Sequence, residues 1–160
     1  MTHYYKVKVS QDEGGKVGAV GRVGTLSEPE NDNFAKIKIQ SPAEFLGPKS
    51  ENGKSLYWTP EDLYVSSVAV CIFTTFIKIA QNSHLKFKGF EVVAEGKMEE
   101  NEDGESWFSE IVQDVTVFIA DEKYKRKALR IVEKAEENCL IARSMKTKVI
   151  TNPKAEIRKD

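Results

Sequence analysis

The stretch from Tyr57 to Ser83, YWTPEDLYVSSVAVCIFTTFIKIAQNS, constrains this chain more than any other. Thr59 is placed to cap a helix that opens at Pro60, where a missing N–H costs nothing. Glu61 and Asp62 put negative charge into the first turn, which the helix dipole favours. Beyond them Leu63, Val65, Val68, Val70, Ile72, Phe73, Phe76, Ile77 and Ile79 occupy every side. A helix with no wet face has to be covered, by protein or by lipid. The run from Leu63 to Ala80 is barely long enough to span a bilayer, and it carries Ser66, Ser67, Thr74, Thr75 and Lys78, which are costly there. A buried core helix is the expectation, with Cys71 in its middle and no membrane partner.

The remainder of the composition narrows the class. A chain of 160 residues is expected to form a single domain over residues 1–160 with a real core. Its 24 basic and 25 acidic residues leave a net charge of -1, without the basic excess that marks a nucleic-acid surface. The opening MTHYYKVKVS alternates like a strand and lacks the apolar run of a secretory signal. Two cysteines are too few for a disulfide-stapled scaffold of this size, so a reducing cytoplasm is the expected compartment.

Along the chain, Tyr4 to Val9 alternates as a half-buried strand. Val17 to Leu26 reads as a second strand, interrupted by Gly18, Gly21 and Gly24, and Phe34 to Ile39 as a third. Ser41 to Ser55, with Pro42, Gly47, Pro48 and Gly53, is a long loop leading into the helix. After the helix, Leu85 to Lys97 and Trp107 to Ala120 form two long strands around the acidic Asp103-Gly104 turn. Asp121 caps a second helix reaching about Glu137, with Tyr124, Ala128, Ile131 and Ala135 at helical spacing. Its many basic residues, Lys123 and Arg126 among them, read as a solvated face. Asn138 and Cys139 break that helix, and Thr147 to Thr151 closes the chain as a strand. Strands that cluster as meanders, separated by helices in blocks, predict an α+β fold.

Cysteine is the residue type here with the most chemistry to offer. Cys71 lies about three turns into its helix, beyond the reach of the dipole, and apolar surroundings disfavour a thiolate. As a core thiol it is inert; as a nucleophile it needs a cation delivered from elsewhere in the fold. A guanidinium at about 4 Å supplies roughly 4 kcal/mol at an effective dielectric near 20. Cys139 sits at a helix break, where backbone N–H groups favour a thiolate; the alternative is an inert junction thiol. A metal site is not expected, since His3 and His84 stand apart and no C-x-x-C or H-x-x-x-H pair occurs.

W-T-P-E-D-L followed by an apolar helix with a central cysteine, and A-E-E-N-C before a closing strand, resembles the OsmC/Ohr family of osmotically induced and organic hydroperoxide resistance proteins. The G-R-V-G at Gly21 to Gly24 is similar to the G-R-x-G in which the Ohr branch carries its catalytic arginine. The resemblance implies an intertwined homodimer in which antiparallel sheets wrap a long buried central helix, with active sites at the subunit interface. It implies that Cys71 is the peroxidatic thiolate, that Cys139 resolves the sulfenic acid as a disulfide, that Arg22 supplies the cation, and that Glu61 holds the guanidinium. It further implies a small organic hydroperoxide as substrate, an external dithiol such as a lipoyl group as reductant, and no metal or organic cofactor.

Two departures from the family pattern stand out. Leu140 replaces the proline that usually follows the second cysteine. In the OsmC branch the arginine comes from a later strand, where this chain has only Lys36 and Lys38, and lysine is no bidentate substitute for arginine. A different reading of the same fold is a binder of small apolar ligands lined by Phe45, Tyr57, Trp58 and Phe73; a third is a structural dimer module.

Overall fold

The computed structural model describes residues 2–11, 23–31 and 33–159. The chain divides into two compact units, residues 1–64 and 65–160.

In the first unit, β1 (Lys8–Gln11), β2 (Val23–Ser27) and β3 (Ile37–Gln40) form an antiparallel sheet in the order β1-β2-β3. Gly24 on β2 faces Gln11 across the ladder, and a Cβ there would lie 2.8 Å from the carbonyl oxygen of Ser10, so only glycine permits this approach. The expected strand over Tyr4 to Val9 starts later and is exposed on both faces, Tyr5 and Val7 included, so it is not the half-buried strand its alternation suggested. Of the expected Val17–Leu26 strand, residues 17–22 lie outside the described residues. The long loop is pinned by buried Gln40. Its Nε2 donates to the carbonyls of Ser41 (3.0 Å) and Pro48 (2.9 Å), and its Oε1 accepts from the N–H groups of Leu56 (3.1 Å) and Tyr57 (3.0 Å). One amide with both ends satisfied holds the chain on course for the helix.

The helix α1 (Pro60–Asn82) opens in the first unit and enters the second after Tyr64. Its cap is reciprocal: Thr59 Oγ1 accepts from the Asp62 N–H (3.2 Å), while Asp62 Oδ2 accepts from the N–H and hydroxyl of Thr59 (3.0 and 2.9 Å). Its far end closes with His84 in the left-handed region (φ 52), the Leu85 N–H returning to the Ala80 carbonyl at 2.9 Å. This gives the isolated histidine a structural place.

In the second unit, β4 (Gly89–Glu100), β5 (Ser106–Ile119) and β6 (Lys148–Ile157) form a sheet in that order. The β4–β5 turn is built by Asn101, whose Oδ1 accepts from the N–H groups of Asp103 (3.0 Å) and Glu105 (2.9 Å), with Gly104 at φ 79. β6 pairs with β5 in parallel, so the expectation of antiparallel sheets fails on this side. The reason lies in the connection: α2 (Lys125–Glu137) and the short α3 (Leu140–Ser144) intervene, and a helical crossover returns the next strand parallel.

One face of this sheet carries the core. Val115, Val117 and Ile119 pack with Ala128, Ile131, Val132 and Ala135 of α2 and with Ile72, Phe76 and Ala80 of α1. Phe76 stands edge-on to Phe87 (ring centres 5.4 Å apart) and lies 4.5 Å from Phe90. Burial of an aromatic side chain of this kind stabilises by about 2–3 kcal/mol. The chain covers only one stripe of α1, Val68, Ile72, Phe76 and Ala80, although the sequence is apolar on every side. Val70 and Phe73 remain 58% and 42% exposed. By length and composition α1 is also apolar enough to cross a membrane, with a mean hydropathy of 1.9.

Candidate active site

The second unit brings the two cysteines together. Cys71 is half-buried on α1; Cys139 is fully buried at the cap of α3, with Cys71 as its neighbour. The residues that place Cys139 are local. Its N–H donates to the Glu136 carbonyl (3.0 Å), its carbonyl accepts from Arg143 (3.1 Å), and its Sγ accepts from the Ala142 N–H at 3.5 Å. Leu140, in the position where the family pattern has proline, is exposed and opens α3 without packing into the core. On α1, the Thr74 hydroxyl donates back to the carbonyls of Val70 and Cys71, both at 3.1 Å, and ties that turn down.

The expectation that backbone N–H groups would favour a Cys139 thiolate is half met. The N–H groups of Ala142 and Ile141 do point at the sulfur, but burial outweighs them, with the neighbouring Cys71 adding to it, and pushes the thiol from 9.0 up to about 11. The unfolded chain gives up this proton near the ordinary value, whereas the folded chain keeps it until about 11. Between those values the folded state holds the extra proton, so stability falls as pH rises, by up to about 3 kcal/mol over the window. Urea unfolding across that alkaline range should show this slope in the wild type and lose it in Cys139→Ala. Equal slopes in the two proteins would show that Cys139 does not titrate so high.

Glu61 occupies the first turn of α1, ten residues before Cys71 and so about 15 Å from it along the axis. It does not reach the thiol from its own helix. Its Oε2 is buried and has no hydrogen-bond partner among the described residues. A buried carboxylate oxygen left in that state is costly, and a guanidinium fork is the group that satisfies it best. Arg22 lies outside the described residues; the second half of its G-R-V-G, Val23 and Gly24, opens β2. Lys38 lies on β3 and Lys36 just before it, both exposed.

The first unit also holds an apolar cavity of about 370 Å³, lined by Val9, Val23, Gly24, Ile39, Pro42 and Pro60 among others. Phe45, Tyr57 and Trp58, expected to line a ligand pocket, are exposed and are not among its described lining residues. No group of three or more His, Cys, Asp or Glu side chains among the described residues is placed to hold a metal.

Gln113 escaped the sequence reading. It is 1% exposed on the core face of β5, between Ile111 and Val115, with Nε2 3.4 Å from Thr151 Oγ1 and Oε1 unpartnered among the described residues. The visible signal was a polar residue in an otherwise apolar alternation.

The model of the family of OsmC-like proteins matches residues 52–154, and the chain belongs to that family. The solved structures extend the likeness to the whole fold. An OsmC-like protein of unknown function from Vibrio cholerae is 18% identical, with a TM-score of 0.76, covering 95% of this chain and 99% of its own. The organic hydroperoxide resistance protein from Elizabethkingia anophelis is 14% identical, with a TM-score of 0.66, covering 99% of this chain and 100% of its own. The organic hydroperoxide resistance protein OhrB of Bacillus subtilis is 18% identical, with a TM-score of 0.60, covering 95% and 98%. Among curated protein sequences none matches the chain.

Proposed function

We propose that the chain is a thiol-dependent peroxidase that reduces organic hydroperoxides through a two-cysteine cycle. The observation that carries this reading is the contact between Cys71 and Cys139, residues far apart in sequence that meet with both thiols free. The Cys71 thiolate attacks the peroxide oxygen, the O–O bond breaks, and the alkoxide takes up a proton and leaves as the alcohol. Cys71 is left as a sulfenic acid. The Cys139 sulfur then displaces its hydroxyl, giving a disulfide and water, and an external dithiol, such as a lipoyl group, restores both thiols. Cys71 is the more accessible of the two sulfurs, which suits it to meet the substrate.

Arg22 supplies the cation for Cys71 in this reading, and the unsatisfied Oε2 of Glu61 is the acceptor that holds the guanidinium. The working form is a homodimer in the cytoplasm, in which a second copy covers the exposed face of α1. No metal or organic cofactor takes part.

Treatment with a modest excess of cumene hydroperoxide should lower the intact mass by the two thiol hydrogens, and peptide mapping should join Cys71 to Cys139. In Cys139→Ser, Cys71 should instead advance to the sulfinic acid, because nothing captures the sulfenate. Two thiols that stay free under this treatment would end the peroxidase reading. The apolar cavity of the first unit supports a second reading, a binder of small apolar ligands. A rise in melting temperature with fatty acids, without hydroperoxide turnover in the presence of a dithiol, would favour it.

A further inference from the structure

We propose that the acidic end of the β4–β5 hairpin of one copy of this chain docks in the basic groove on α2 of another copy. The contact uses neither the thiols nor the exposed face of α1, and it does not rest on the peroxidase reading. Both surfaces belong to the second unit.

The groove, of about 740 Å³, is lined by Lys123, Arg126, Lys127, Leu129, Arg130 and Glu133, four cations against one acid. Two of the cations are engaged: Lys123 pairs with Asp121 at 2.9 Å, and the Lys127 ammonium donates to the Ser83 carbonyl. The guanidiniums of Arg126 and Arg130 have no ion-pair or hydrogen-bond partner among the described residues. They stand four residues apart on one face of α2, about 6 Å along its axis, beside the half-buried Leu129. Guanidiniums around an apolar floor fit carboxylates carried next to an apolar side chain.

The hairpin end has that chemistry. β6 pairs with β5 only from Glu110 onward, and Glu110 faces Lys97 on β4, so residues 98–109 continue as a two-stranded ribbon. The register shift between Lys97 and Met98 re-aims this ribbon. It contains no Lys or Arg, and Glu100, Glu102, Asp103 and Glu105 are exposed along it. The carboxylates of Glu102 and Asp103 have no cationic partner among the described residues. Behind them Met98 and Trp107 are 48% and 47% exposed, and an exposed tryptophan beside charge is a common interface anchor. Asn101 already holds the tip in shape, so docking orders little new chain. Within one chain the two surfaces do not satisfy each other, since Arg126 and Arg130 stay unpaired; a second copy brings the missing acids. Exposed ion pairs are screened by salt, so the contact is strongest at low ionic strength.

The test is zero-length carbodiimide cross-linking of light and nitrogen-15-labelled chains refolded together, at low salt. Peptides joining Lys123 or Lys127 to Glu102 or Asp103, one partner light and the other heavy, are the expected product. Their yield should fall about tenfold when salt is raised to about 0.5 M. The double substitution Arg126→Glu with Arg130→Glu should lower it at least about tenfold, and so should Glu102→Lys with Asp103→Lys. All four side chains are exposed, and the wild-type measurement needs no variant. Neither variant then binds its own kind, but a mixture of the two should cross-link again, between the substituted positions. Absence of mixed light–heavy peptides in the wild type overturns the proposal, as does a yield that neither double substitution lowers. A mixture of the variants that stays unlinked, or a groove that links only to acids outside the hairpin, overturns it as well.

Discussion

Replacing Arg22 with methionine is expected to slow hydroperoxide consumption near neutral pH by up to about a thousandfold. The size follows from Coulomb's law: a guanidinium about 4 Å from a thiolate is worth roughly 4 kcal/mol at an effective dielectric of 20, or about three decades in rate. The helix offers no substitute. Cys71 lies too far from the start of α1 at Pro60 to feel its dipole, and the nearby sulfur of Cys139 brings no positive charge. The loss should ease as pH rises, because the thiolate then forms unaided. Glu61→Gln should have a smaller effect, since it loosens the guanidinium without removing it. Stopped-flow consumption of cumene hydroperoxide, paired with alkylation of Cys71, measures both. Unchanged rates in Arg22→Met would move the search to Lys36 and Lys38.

The second large effect concerns assembly. If the proposed dimer forms, Phe73→Glu should convert it to a monomer at micromolar concentration, as read by sedimentation velocity. Val70, Phe73 and Ile77 fall on one side of α1 at helical spacing, and Val70 and Phe73 are 58% and 42% exposed within the chain. Hydrophobic surface of that kind on a structural helix asks for cover, and the near-zero net charge of the chain gives two copies no reason to repel. In a two-fold dimer each substitution counts twice: the exposed part of Phe73 is worth about 1 kcal/mol per copy and an unpaired carboxylate buried in its place costs several kcal/mol more, so association weakens by about three decades or more. A wild-type chain that sediments as a folded monomer would refute the dimer outright.

The sequence displayed some of this architecture openly and concealed the rest for identifiable reasons. The cap at Thr59, the opening at Pro60 and the Asp103-Gly104 turn were legible because each is set by neighbours within a few residues. The family was legible because W-T-P-E-D-L and the two cysteines keep their order along the chain. The direction of β6 was not, because parallel and antiparallel strands share one alternation and differ only in where the preceding helix delivers them. The wet side of α1 was also hidden, since a sequence apolar all round does not say which stripe its own chain covers. Nor did the helix break at Cys139 reveal that burial would outweigh the N–H groups aimed at the sulfur.

The crossover that makes β6 parallel has a consequence for the order in which the molecule assembles. A hairpin such as β4–β5 zips from its turn, but β6 has no turn joining it to β5; everything from Ile119 to Lys148 has to be laid down first. Cys139 sits inside that connecting segment, on the far side of α2 from the strand that precedes it. Cys139 meets Cys71 across 68 residues of sequence, so closure entropy opposes the meeting until the elements between them have folded. The pair of thiols is thus a product of tertiary folding: the strands and helix between residues 71 and 139 have to pack before the two sulfurs become neighbours.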